Sequence, residues 1–290
     1  MTLEKASPCK VNLLLNILGK RTDGFHELET VMHPVNICDH LSFTRAATGV
    51  QLTCNHPELP VDARNLVFRA ATAFRQAAGI ADGVKLHLEK HIPMAAGLGG
   101  GSGNAATTLL GLNELFDQPL DAAQLQALAA TLGSDVPFFL QTKPALATGR
   151  GENVTSLEPF PCLQQTAILL VHPGFGIATA WAYRELARFP AALNGQPGRA
   201  EKLIAALRGQ DLTTAGREFY NSLEAPALEK FPVLALYQEF FREQGAAVAL
   251  MSGSGSTTFA IFADRIRAEA AVEPFQREFG AAGWLTVVPL

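Results

Sequence analysis

The sequence predicts an α+β protein of two domains, the second built on a split βαβ order. Three observations carry that reading. Residues 10–18 alternate as a half-buried strand and run into turn chemistry. A glycine-rich segment at residues 93–103 joins a strand to a helix. The C-terminal half runs strand, helices, strand, strand, helix, strand, the order of an elaborated ferredoxin-like unit.

In the first strand Val11, Leu13, Leu15 and Ile17 share one face, while Lys10, Asn12 and Asn16 share the other. Gly19 to Gly24 form a turn ending in Asp-Gly. A second strand is expected at 25–37, with further strands at Leu41–Phe43 and Val50–Cys54. Asn65 to Ala78 has the periodicity of an amphipathic helix ended by Gly79. Val84–Leu88 alternates as a strand, Asn104–Phe116 and Ala122–Leu132 read as helices, and Val136–Leu140 fits either type. Val154–Leu157 follows a turn at Gly149 and Gly151. The stiff segment Leu157-Glu-Pro-Phe-Pro161 sets the expected boundary between domains 1–158 and 159–290. Beyond it come a buried strand at Ala167–Val171, helices at 178–188, 199–218 and 227–244, strands at Ala247–Met251 and Thr258–Phe262, a helix at 264–279 and a strand at Leu285–Val288.

The chain has 290 residues, 48% of them apolar, and a net charge of −4. Such a charge gives no footprint for nucleic acid or an anionic membrane. Cys9, Cys38, Cys54 and Cys162 are scattered outside any zinc spacing and suit reduced thiols in a cytoplasmic protein. The first residues lack the pattern of a signal peptide, and no run approaches the ~20 apolar residues of a membrane span.

The segment Pro93-Met94-Ala95-Ala96-Gly97-Leu98-Gly99-Gly100-Gly101-Ser102-Gly103 is the strongest chemical signal. Its glycines permit left-handed backbone and close approach to a ligand. Consecutive amides there converge on anionic oxygens, and the helix that follows points its positive end at the same place. No acidic residue lies between Glu89 and Glu114. The competing reading is a turn with Ser102 or Asn104 as a helix cap. Five glycines are a heavy entropic cost for a cap alone, so phosphate binding is favoured. The segment is neither a Walker A loop nor a complete dinucleotide fingerprint.

Pattern alone makes Lys10 a solvated edge lysine and Asp135, in Leu-Gly-Ser-Asp-Val-Pro-Phe, a helix cap. Beside a phosphate loop both gain a second reading. Phosphoryl transfer needs charge stabilisation, a metal and a group that orients the attacking hydroxyl. Ser102 is the nearest hydroxyl for metal or phosphate; the metal's protein ligands are not indicated. Ser252-Gly-Ser-Gly-Ser256 reads either as a hairpin loop or as a second backbone nest.

Lys10-Val-Asn-Leu, the Pro93–Thr107 segment and Ser252-Gly-Ser-Gly255 resemble the three motifs of the GHMP kinase superfamily. Arg21-Thr-Asp-Gly-Phe-His26, Leu132-Gly-Ser-Asp-Val-Pro-Phe138 and His172-Pro-Gly174 resemble its branch that acts on a diphosphocytidyl-methylerythritol. The resemblance implies a ribosomal protein S5-like α/β N-terminal domain, a ferredoxin-like C-terminal domain and an active site in the cleft between them. It implies ATP as co-substrate, Mg²⁺, and phosphorylation of the 2-hydroxyl of that substrate in the non-mevalonate isoprenoid route. By the same resemblance Asp135 is the base and Lys10 orients the hydroxyl. The Pro93–Gly103 loop holds the phosphates, with Asn65 and Lys90 at the nucleoside part of ATP. Phe25 and Tyr183 would stack on cytosine, with His26 and Asn12 hydrogen-bonding the cytidine part. Phe25 stands where that branch usually has tyrosine, and Gly103 where it has a second serine. The expected partner is a small-molecule substrate, without nucleic acid or membrane, acting on a monomer or weak homodimer. Two alternatives stay open: another GHMP kinase, of homoserine or mevalonate type, and a non-catalytic nucleic-acid-binding module.

Overall fold

The computed structural model describes residues 2–281 and 283–290. The chain divides into two compact units. One comprises the segment through Cys9, Ile37–Ile92 and Gly99–Thr142; the other comprises Lys10–Asn36, Pro93–Leu98 and Lys143–Leu290. Two long strands, Thr2–Lys20 and His26–Ala46, contribute residues to both.

In the first unit, strand Val50–Cys54 pairs in parallel with Gly83–Glu89, and helix Leu66–Ala77 makes the crossover. Gly83–Glu89 also pairs antiparallel with residues 40–46. Val84, Leu86 and Leu88 are buried while Lys85, His87 and Glu89 are exposed, the alternation of a sheet with one wet face. Asn65 caps the crossover helix by accepting from the Val67 amide at 2.9 Å. Helix Gly100–Leu115 lies close on the sheet. A Cβ on Gly111 would sit 2.6 Å from the Phe43 ring, and one on Gly103 would sit 2.6 Å from the Pro8 carbonyl oxygen. Helix-on-strand packing therefore favours glycine at position 103, since a side chain there would force the Pro8 carbonyl or the helix to shift. Helix Ala122–Leu132 has the predicted bounds and a capping box between Asp121 and Gln124.

In the second unit, the C-terminal sheet has the spatial order Trp284–Pro289, Ala167–His172, Thr258–Phe262, Val248–Met251, each pair antiparallel. Numbered along the chain that order is four, one, three, two, the ferredoxin-like arrangement expected from the sequence. One face packs against Tyr237, Phe240, Phe241 and Phe275, with the Phe241 and Phe275 rings stacked at 5.0 Å and 11°. Residues 28–32 pair with Ala145–Gly149, a strand the sequence reading missed, and Leu14 and Leu15 pair in parallel with Tyr220–Asn221. The buried Glu29 carboxylate accepts from the Gly198 and Ala200 amides and caps helix Arg199–Leu207.

Several expected elements change. The strands expected at 25–37 and 41–43 are one continuous strand. Pro34, which argues for a break, falls between the two antiparallel ladders at 28–32 and 40–46 and removes no bond from either. The helix expected at 199–218 divides because Asp211 caps a new one, accepting from Thr213 and Thr214 amides. That at 227–244 breaks at Phe231, which precedes Pro232 and leaves the helical region at φ −125°. That at 264–279 breaks at Ala271, with Pro274 in the next first turn. Val136–Leu140 resolves as a 3₁₀ turn over Pro137–Leu140.

Candidate active site

Lys10 is 3% exposed, so the reading of a solvated edge lysine is overturned. Its ammonium donates to the Asn12 carboxamide oxygen at 2.5 Å and to the Gly97 carbonyl at 2.9 Å. Burying an ammonium is costly unless donors and acceptors are matched, and these oxygens help to meet that cost. Asn12 in turn donates to Thr30 Oγ1 at 2.8 Å, and Thr30 Oγ1 donates to the Leu14 carbonyl. Both ends of the Asn12 amide are thus engaged, and one function of this residue is to aim Lys10.

The Ser252–Ser256 segment is a structured turn packed on the first glycine segment. Ser252 Oγ donates to the Gly97 carbonyl at 3.0 Å, and the Thr257 amide donates to the Ala96 carbonyl at 3.2 Å. Gly97 is left-handed at φ +76°, and a Cβ there would lie 2.0 Å from the Ser252 carbonyl oxygen. Gly253, at φ +55°, approaches so near that a Cβ would be 3.2 Å from Asn12 Oδ1 and 3.3 Å from Lys10 Nζ. The first and third motifs and the start of the second therefore meet at one point.

The rest of the glycine segment begins a helix. The Gly100–Leu115 helix starts inside the segment, with Gly99 as its left-handed N-cap at φ +69°. Ser102 and Asn104 are consequently not caps; they lie in the helix. Gly99 has no side chain to satisfy the first-turn amides, which have no partners within the helix. Such a terminus accepts phosphate oxygens. Lys90 stands beside it: a Cβ on Gly100 would be 3.0 Å from Lys90 Nζ. Lys90 is paired at 2.5 Å with Asp39, and the two side chains are 5% and 0% exposed. Asp39 also accepts from the His91 and Ile92 amides and from Asn104 Nδ2, at 2.7, 2.8 and 2.8 Å. Asn104 reaches Ser7 Oγ at 3.0 Å. This buried network was not read from the sequence, because Asp39 sits in an ordinary strand pattern.

Asp135 lies in the first unit, half-buried, just before the Pro137–Leu140 turn. The cap position of that turn is Val136, the residue after Asp135. Asn65 spends its oxygen on Val67 and its amide nitrogen on the Pro60 carbonyl at 2.7 Å. In the second unit the rings of His26 and Tyr183 are 5.0 Å apart and tilted by 40°. Burial, and the nearby Lys20 charge, lower the His26 pKa and favour its neutral form. Phe25 is 51% exposed, with the Arg150 guanidinium 4.7 Å from its ring centre. His172 is buried, and its Nδ1 accepts from the Gly174 amide at 3.3 Å. Among the described residues no group of three or more His, Cys, Asp or Glu is arranged to hold a metal, and no helix is long and apolar enough to cross a membrane.

A buried lysine aimed by an asparagine, set against two glycine turns, belongs with a class of enzymes whose sequence patterns match this chain. The GHMP kinases N terminal domain matches residues 65–143 and the GHMP kinases C terminal matches residues 203–282. The fold is the two-domain GHMP kinase fold. A 4-diphosphocytidyl-2-C-methyl-D-erythritol kinase of Synechococcus sp. (strain JA-3-3Ab) is 40% identical over 96% of this chain and 91% of its own length. That of Pelotomaculum thermopropionicum is 40% identical over 96% and 95%. A crystal structure of 4-(cytidine 5'-diphospho)-2C-methyl-D-erythritol kinase matches with a TM-score of 0.78 at 35% identity, covering 99% of this chain and 100% of that one. Homoserine kinase from Cytophaga hutchinsonii, at 19% identity and a TM-score of 0.74 over 99% and 93%, shares the fold. The chain belongs to the 4-diphosphocytidyl-2-C-methyl-D-erythritol kinase family of GHMP kinases.

Proposed function

We propose that this protein transfers the γ-phosphoryl group of ATP to the 2-hydroxyl of 4-diphosphocytidyl-2-C-methyl-D-erythritol, in the non-mevalonate route to isoprenoid precursors. The observation that carries the reading is the helix begun at Gly99, whose first-turn amides have no side-chain cap and suit a nucleotide phosphate. The name shared by the relatives selects the acceptor.

The acceptor oxygen attacks the γ-phosphorus, the bond to the β,γ-bridging oxygen breaks, and ADP leaves. Asp135 accepts the hydroxyl proton, and Lys10 holds a fixed positive charge that orients the hydroxyl. Lys10 suits that role because Asn12 and Gly97 fix its ammonium before any ligand arrives. Residues Pro93 to Gly103 bind the triphosphate. Asn65 and Lys90, whose polar atoms have internal partners, shape the wall against the nucleoside. Mg²⁺ would be held chiefly by phosphate oxygens, with Ser102, in the first turn of the Gly100–Leu115 helix, as the nearest protein hydroxyl. Bound there, the ion neutralises the charge of the phosphates. Tyr183 and Phe25 supply aromatic faces for the cytosine, and neutral His26, its ring 5.0 Å from that of Tyr183, both donates and accepts hydrogen bonds to the cytidine part.

ADP release from Mg-ATP, followed separately with the cytidylyl substrate, homoserine and mevalonate, tests the reading. Turnover confined to the cytidylyl substrate is expected; turnover with homoserine or mevalonate instead rejects it.

A further inference from the structure

We infer that Asn221 is a positioning residue for phosphoryl transfer: its single carboxamide ties the Ser252–Ser256 turn to the strand that carries Lys10 and Asn12. The inference rests on the phosphotransferase reading above. Asn221 is 2% exposed. Its backbone lies in the short strand Tyr220–Asn221, paired with Leu15 of the Lys10 strand, and the next amide, of Ser222, donates to the Leu15 carbonyl at 2.8 Å. Its side-chain nitrogen donates to two carbonyls, of Met251 and Gly253, each at 2.8 Å. Its side-chain oxygen accepts from the Leu223 amide at 2.9 Å, which fixes the orientation of the group.

Those two carbonyls flank Ser252, the residue that bonds Gly97. Met251 ends an edge strand, so its outward backbone groups lack a neighbouring strand. Side chains replace that neighbour: Glu224 accepts from the Met251 amide at 2.7 Å while Asn221 takes the carbonyl. With the Gly253 carbonyl tethered to Asn221, the amide hydrogens of Gly253 and Ser254 make no bond to another backbone group among the described residues. Two successive amides around a left-handed glycine form an anion-accepting nest. Asn221 holds that nest at a fixed distance from Lys10, so losing it lowers catalysis through geometry rather than through contact with substrate.

The test compares Asn221→Ala with Leu203→Ala, a fully buried aliphatic change in helix Arg199–Leu207. Thermal stability, kcat and KM are measured for both with Mg-ATP and the cytidylyl substrate. Asn221→Ala is expected to lower kcat at least ~10-fold with KM for the cytidylyl substrate changed less than ~2-fold, on the scale of a disturbed preorganised donor. Leu203→Ala is expected to lose stability while keeping kcat within ~2-fold. Equal kcat loss in both variants, or near-normal kcat in Asn221→Ala, overturns the inference. The amide resonances of Gly253 and Ser254 in the unaltered protein give an independent reading that needs no variant. They are expected to shift when a non-hydrolysable ATP analogue and the cytidylyl substrate are added together; unmoved resonances overturn the inference. Turnover by the unaltered protein in the same assay reports on the phosphotransferase reading separately.

Discussion

The ammonium of Lys10 donates to the carbonyl oxygen of Gly97 at 2.9 Å, across 87 residues of chain. That contact requires a peptide plane at Gly97 turned by a left-handed φ of +76° and packed against Ser252. The lysine, the first glycine turn and the third motif are thus one mechanical group.

Gly97→Ala tests this packing. The new Cβ would lie 2.0 Å from the backbone oxygen of Ser252, which cannot swing aside like a side-chain tip. The left-handed conformation adds about 1–2 kcal/mol and the overlap about 1–3 kcal/mol. Gly245→Ala is the control, because Gly245 has φ +87° and nothing within 4 Å of a Cβ. Denaturant unfolding should show the larger loss at Gly97 and only the conformational part at Gly245. Equal losses would mean the Ser252 contact does not constrain the turn.

Asp39 and Lys90 should respond unequally. Asp39→Asn leaves the buried Lys90 ammonium without its counter-charge and should cost about 3–5 kcal/mol. Lys90→Met should cost less, because Asp39 keeps the His91, Ile92 and Asn104 donors. The reverse ranking in equilibrium unfolding would contradict the network described here.

Glu224 gives a pH signature. Burial lifts its carboxyl to about 7, against the pull of the Met251 amide, Gln238 and Arg242. An unfolded glutamate titrates near ~4.3. Between these values the folded state holds a proton that the unfolded chain has released. This group's contribution is therefore greatest at acid pH and declines as pH rises to about 7, by on the order of 3 kcal/mol. Glu224→Gln should flatten that part of the stability–pH curve. An unchanged slope would assign the decline to other groups.

Asp135→Asn should leave the fold and ATP affinity unaltered while lowering kcat by ~10²-fold or more, the scale for a positioned acid–base group. Thermal unfolding, nucleotide binding and steady-state rates distinguish the cases. Near-normal turnover would remove the proton-acceptor role from Asp135.

The glycine segment and the ferredoxin-like half were legible because turn chemistry and hydrophobic period are local. Helix bounds at Ala122–Leu132 were read from the same kind of signal. Burial of Lys10 was not legible: alternation placed it on a polar face, and nothing local shows that Gly97 and Ser252 cover that face. Asp39 and Asn221 were missed for a related reason. Each has a role made of partners far along the chain, such as Asn104 for the one and Met251 for the other. Helix breaks at Phe231 and Ala271 were announced by Pro232 and Pro274, and an apolar period continuing through them hid the signal.

Phosphorus NMR of the product formed from Mg-ATP and 4-diphosphocytidyl-2-C-methyl-D-erythritol bears most directly on the whole account. A new phosphomonoester resonance coupled to the 2-position of the methylerythritol, appearing in step with ADP, is the predicted result. ADP formed without that resonance, or no consumption of ATP at all, would contradict it.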